Sequence, residues 1–118
     1  MEKRTHNRYE IWFPVTLEWG AKEVWAVVRD AGPGGILVAS NARLSIGSQV
    51  TVRFRVTPQD ALERRVRGKV VRTEHNNDPA GRVWPHRLAI AFARPMPELD
   101  EVFRRNSGHI RPSMRVGI

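Results

Sequence analysis

The chain has 118 residues, 41% of them hydrophobic, enough for one modest core and not for two. It has no cysteine, which excludes disulfides, thiolate metal sites and thiol catalysis, and no apolar run nears the roughly 20 residues that span a bilayer. Its formal net charge of +8 comes almost wholly from arginine, since lysine occurs only at Lys3, Lys22 and Lys69, so an anionic partner is expected.

Residues 1–9 read as an N-terminal arm. Met1 to Arg8 is polar and lacks the apolar centre of a secretory signal, so a cytoplasmic protein without membrane insertion is expected. The arm carries two arginines four apart, Arg4 and Arg8. From Ile11 the pattern has period two: Ile11, Phe13, Val15 and Leu17 share a face, with Trp12, Thr16 and Glu18 opposite. Trp19 to Lys22 reads as a turn. Val24, Ala26 and Val28 then alternate with Trp25, Val27 and Arg29, which predicts a hairpin.

A turn is expected over Asp30–Gly34, followed by a short apolar strand through Ile36, Leu37 and Val38. Asn41 to Ser48 reads as a loop. Val50, Val52, Phe54 and Val56 next point one way and Thr51, Arg53, Arg55 and Thr57 the other, until Pro58. Val66, Gly68 and Val70 continue against Arg65, Arg67 and Lys69. His75 to Pro85 reads as a long loop, and Leu88, Ile90 and Phe92 alternate with alanines in a last strand. Glu98 to Arg105 is the helix candidate: Leu99, Val102 and Phe103 share a face, and acids precede Arg104 and Arg105, as the helix dipole favours. Six short strands and one helix predict an all-β fold, a small six-stranded antiparallel barrel over residues 10–106 with a capping C-terminal helix. Residues 107–118 form a basic, aperiodic tail.

Two of these features belong together. Arg4-Thr5-His6-Asn7-Arg8 followed, after one predicted hairpin, by Asp30-Ala31-Gly32-Pro33-Gly34-Gly35 resembles the PilZ domain signature, RxxxR and then [D/N]xSxxG. The strand with Ile11, Phe13-Pro14-Val15 and Leu17 is similar to that family's first strand. Gly68-Lys69-Val70-Val71-Arg72 resembles a later strand and Leu88-Ala89-Ile90-Ala91-Phe92 the last, so the likeness covers roughly residues 2–105. It implies a split-barrel type of fold and a receptor for the bacterial second messenger cyclic di-GMP, with no enzymatic activity and no cofactor, that relays the signal to an effector protein. Arg4, Arg8, Asp30, Gly32 and Gly35 are then the implied ligand-binding residues, with Lys3 as an additional candidate. Gly32 departs from the family pattern, in which serine supplies a hydroxyl.

The chemistry suits that ligand. Arginine forks bind phosphate or the guanine N7/O6 edge and stack on purines. A carboxylate accepts from guanine N1 and N2. A glycine turn allows close backbone approach. Asp30 follows Arg8 by one strand, a tight turn and a return strand, which places the two side by side.

Other features carry less. His6, His75, His86 and His109 lack short-range spacing for a metal. Asp78, Glu98, Asp100 and Glu101 have no acid–base arrangement, the last three reading as helix N-terminal charge. Arg53, Arg55, Arg65, Arg67 and Lys69 read as a solvated face rather than a nucleic-acid surface, because no stacking aromatics interleave with them. Trp12, Trp25 and Trp84 read as barrel and helix packing rather than partner contacts.

Overall fold

The computed structural model describes residues 8–57, 59, 62–77 and 82–107. It contains six strands, β1 Tyr9–Trp19, β2 Lys22–Gly32, β3 Gly35–Ser40, β4 Gln49–Phe54, β5 Arg64–His75 and β6 His86–Phe92, and one helix, α1 Glu98–Asn106. The strands form a closed antiparallel barrel in the order β1-β2-β3-β6-β5-β4, with β4 returning to β1 through Val15↔Phe54 to Glu18↔Thr51.

The period-two pattern dictates this arrangement. Ile11, Phe13, Val15 and Leu17 of β1 face the interior with Val24, Ala26 and Val28 of β2, Val50, Val52 and Phe54 of β4, and Leu88, Ile90 and Phe92 of β6. Helix α1 closes one end of the barrel. Its Phe103 is fully buried and packs against Phe13 and Phe54, with ring centroids 6.1 and 6.4 Å away. Leu99, one turn earlier, is buried beside it.

Four differences from the sequence reading matter. The Asp30–Gly34 turn is shorter than expected. Strand pairing continues through Asp30↔Leu37, Ala31↔Ile36 and Gly32↔Gly35, which leaves only Pro33 and Gly34 to turn the chain. Tyr9, expected in the arm, begins β1 and is buried. Strand β4 ends at Phe54, although Val56 remains buried. Trp12 and Trp25 do not pack inside: they are 60% and 65% exposed, because each lies opposite the inward-facing apolar set on its own strand.

Three register shifts shape the wall around Asp30, the first on β1, where Glu10 pairs with Asp30 and Phe13 with Val28. Val28 pairs with Val38, but Asp30 pairs with Leu37, so Arg29 is an extra residue in β2. On β5, Val70 pairs with Ile90 and Arg72 with Ala89, leaving Val71 as the extra residue. An inserted residue reverses the in–out alternation beyond it. Val28 and Ala31 therefore both face the core, three residues apart, and Asp30 turns outward.

Candidate functional site

The registers align one row of side chains across five strands on the outer wall: Glu10, Asp30, Leu37, Ala89 and Arg72. The row below it is interior: Tyr9, Ala31, Ile36, Ile90 and Val70. A shallow cavity of about 470 Å³ runs along the outer row, lined also by Arg8, Gly34, Gly35, Val71 and Ala91. Its centre is apolar and small-residue, with charged side chains at the ends.

Arg8 and Asp30 meet at one of those ends. Arg8 donates to Asp30 Oδ1 through Nε, at 3.0 Å, and also through Nη2. Both bonds use the same carboxylate oxygen. Among the described residues Oδ2 has no partner. Both side chains are 32% exposed, so the pair is screened and worth at most about 1 kcal/mol to stability. At the far end Arg72 Nε lies 3.2 Å from Glu74 Oε2. Two arginines and two carboxylates, Glu10 and Asp30, thus line the basin, which is close to charge-neutral by itself.

The glycine positions have separate roles. Gly35 lines the basin, yet a Cβ there would lie 2.3 Å from the Ile90 backbone oxygen, so its missing side chain is what lets β3 approach β6. Gly68 meets β6 similarly, a Cβ falling 2.9 Å from the Ala91 oxygen. Gly32 is buried at the end of β2. The positive-φ glycines among the described residues are Gly20 and Gly47, so the backbone at Gly32 admits an L side chain. The Pro33–Gly34 turn is held from outside: Met96 N–H donates to Pro33 O at 2.8 Å and Phe92 N–H to Gly34 O at 2.9 Å. Next to Arg8, the Tyr9 hydroxyl donates to Asp100 Oδ1 of α1 at 3.0 Å. Asp100, read as helix N-terminal charge, therefore also ties the start of β1 to the helix.

Of the implied site residues, Arg8, Asp30 and Gly35 line one basin and Gly32 closes the adjoining hairpin. Arg4 and Lys3 lie outside the described residues. Sequence reasoning missed Glu10, Leu37, Val71, Arg72 and Ala89. The Val70-Val71 doublet, which interrupts the alternation of β5, is the signal that could have pointed to Val71 and Arg72. His75 and His86, distant in sequence, are cross-strand partners, but no cluster of three or more His, Cys, Asp or Glu forms among the described residues.

The family model for the PilZ domain matches residues 2–105. Among solved structures, the inhibitor of motility MotI/DgrA of Bacillus subtilis aligns with a TM-score of 0.64 at 16% identity over 89% of this chain. The chain spans about half, 49%, of that protein's chain. The PilZ domain of YcgR from Escherichia coli, solved with c-di-GMP, aligns with a TM-score of 0.68 at 11% identity over 88% of each chain. The PilZ domain of CeSA from a cellulose-synthesizing bacterium aligns with a TM-score of 0.55 at 23% identity, over 84% of this chain and 93% of that one. No curated protein matches the chain in sequence.

Proposed function

The chain belongs to the PilZ domain family, and from that premise we propose that it is a cytoplasmic, non-enzymatic receptor that binds cyclic di-GMP in the Arg8–Asp30 basin and relays its presence to a protein partner. The observation that carries this reading is the Arg8–Asp30 arrangement. Arg8 holds one carboxylate oxygen of Asp30, which lines the basin, and the other has no partner among the described residues. An oriented carboxylate with a free oxygen accepts from the guanine N1 and N2 donors. It meets the acceptor N1 of adenine unfavourably, which favours guanine. Leu37, Ala89 and Ala91 offer a low apolar floor for a purine face, and the basin lies within the size range of small-ligand sites.

Charge balance gives the arm its role. The ligand carries two phosphate charges, and the basin is nearly neutral. Further cations must come from elsewhere, and the arm supplies Arg4 and Lys3 within five residues of Arg8. In this reading Arg4 and Arg8 clamp the ligand from the arm side while Asp30 reads a base from the wall. Gly32 in place of serine removes one hydroxyl, worth about 0.5–1.5 kcal/mol, which weakens binding without abolishing it. The relay follows from position: a ligand bridging arm and barrel changes the outer surface that a partner meets.

Calorimetric titration of the full chain tests this. Micromolar or tighter binding of cyclic di-GMP is expected, in preference to cyclic di-AMP and GTP. Equal binding of the two cyclic dinucleotides, or no binding of either, refutes it and favours a ligand-free adaptor.

A further inference from the structure

Among the described residues, the cations that line the nucleotide basin are Arg8 and Arg72, and they stand at its opposite ends. The registers Asp30↔Leu37, Leu37↔Ala89 and Ala89↔Arg72 put three strand spacings, about 14 Å, between the Asp30 and Arg72 positions. Strict alternation after the buried Val70 would have turned Arg72 toward the core. The extra residue Val71 reverses that, and the side chains of both line the basin. The bulge thus gives up one ladder pairing and delivers a guanidinium to the far end of the site.

Arg72 is lightly held there. Its Nε donates to Glu74 Oε2 at 3.2 Å, and the two side chains are 62% and 48% exposed, so the pair adds little to stability. Its Nη1 and Nη2 groups have no acceptor among the described residues. Glu74 therefore holds the guanidinium by one corner and leaves the Nη edge, whose two parallel N–H donors match a phosphate. Glu74 itself does not line the basin; it belongs to a separate pocket with Arg43 and His75. The remaining cations of β5 do not share this place: Arg65 pairs with Glu18, and neither Arg67 nor Lys69 lines the basin.

The ligand proposed for the basin supplies the complement. A cyclic dinucleotide carries its two phosphates on opposite sides of one ring, so arginines on the arm side reach one of them and leave the other facing away. We propose that Arg72 is a further ligand-binding residue, which takes the phosphate turned away from the arm and closes the basin at its β5 end. This inference rests on the proposed function and deepens it: the ligand must span the wall from Asp30 to Arg72, which a cyclic dinucleotide does with a base at one end and a phosphate at the other.

The test is calorimetric titration of the full chain and its variants with cyclic di-GMP, with thermal melts of each free protein. Arg72→Ala and Arg72→Gln should each weaken binding by about tenfold, and Arg72→Lys should stay within about threefold of the parent, because a phosphate accepts a point charge where a guanine edge or a stacked purine needs the planar fork. Arg67→Ala, which removes the same charge from the same strand outside the basin, should change affinity by less than about twofold. All four melting temperatures should stay within a few degrees of the parent. Undiminished binding by Arg72→Ala overturns the inference and leaves the proposed function standing. Arg72→Lys no better than Arg72→Gln refutes the phosphate contact. An equal loss in Arg67→Ala reduces the effect to net charge, and a lowered melting temperature in Arg72→Ala makes the residue structural; either overturns the proposal. A parent that binds no cyclic di-GMP is the separate result that removes the proposed function and this inference with it.

Discussion

Replacing Gly35 by alanine should destabilise the barrel strongly, with no ligand present. A Cβ built on Gly35 falls 2.3 Å from the Ile90 backbone oxygen and 3.2 Å from Ala91 Cα. Since real Cβ contacts do not come below 3.0 Å, β3 and β6 must separate locally by about 0.7 Å. The obstacle is backbone, which cannot rotate aside. The neighbouring pairing Gly35↔Ala91 and the bond from Phe92 N–H to Gly34 O, at 2.9 Å, are strained by the same movement. Overpacking of this kind costs about 1–3 kcal/mol, and a weakened backbone hydrogen bond adds about 1 kcal/mol. At about 3–6 °C per kcal/mol for a domain of this size, the melting temperature should fall by roughly 6–24 °C. Thermal and urea melts followed by circular dichroism measure it. Gly20→Ala is the control: nothing lies within 4 Å of its Cβ, and its φ of 62° leaves only a backbone cost of about 1 kcal/mol. If Gly35→Ala melts within a few degrees of the parent, or costs no more than Gly20→Ala, the close-approach argument fails. Gly35 would then be glycine for the ligand's sake.

Arg8→Ala should weaken cyclic di-GMP by at least about tenfold in calorimetry, since a bidentate arginine contact is worth about 1–3 kcal/mol. The free protein's melting temperature should fall by only a few degrees, because the Arg8–Asp30 pair is partly exposed; unfolding of the variant would make Arg8 structural. Gly32→Ser should tighten cyclic di-GMP by about tenfold or less, the worth of one hydrogen bond, with stability retained because φ at position 32 is not left-handed. Weaker binding together with a lower melting temperature would refute that. Tyr9→Phe removes the bond to Asp100 while keeping the ring, so a loss of about 0.5–1.5 kcal/mol is expected in urea denaturation. Unchanged stability would mean that Asp100 contributes only helix-terminal charge.

Strict alternation made the interior legible in the sequence. Ile11 to Leu17, Val50 to Phe54 and Leu88 to Phe92 have one possible inward face each, and all of it is buried. Alternation says nothing about which strand pairs with which, so the insertion of β6 between β3 and β5 was not legible. Bulges were equally hidden. Strict parity would have put Asp30 on the core face with Val24, Ala26 and Val28, and the extra Arg29 turns it outward. The signature motif was legible as a motif; the wall opposite it, with Val71 and Arg72, was not, because one inserted residue on β5 aims it. The tryptophans failed for another reason. The period places Trp12 and Trp25 opposite the apolar faces, and on a closed barrel that position is exposed, against the general habit of large aromatics to be buried.

The strand order also bears on how the chain folds as it is made. Strands β1 to β3 can form a meander as soon as they are synthesised, but β3 must wait for β6, which follows some fifty residues later, before its far edge is covered. Non-local pairing of this kind is slow, on the order of milliseconds to seconds, because chain entropy is lost before the contacts that repay it are made. Until then Ile36 and Val38 border an open edge, and Phe13 and Phe54 lack the ring of Phe103. The half-made chain is thus a sticky sheet. A chain cut before Phe103 would retain every strand and still leave that end of the barrel unplugged, which makes the short helix a late-arriving condition for the solubility of everything that precedes it.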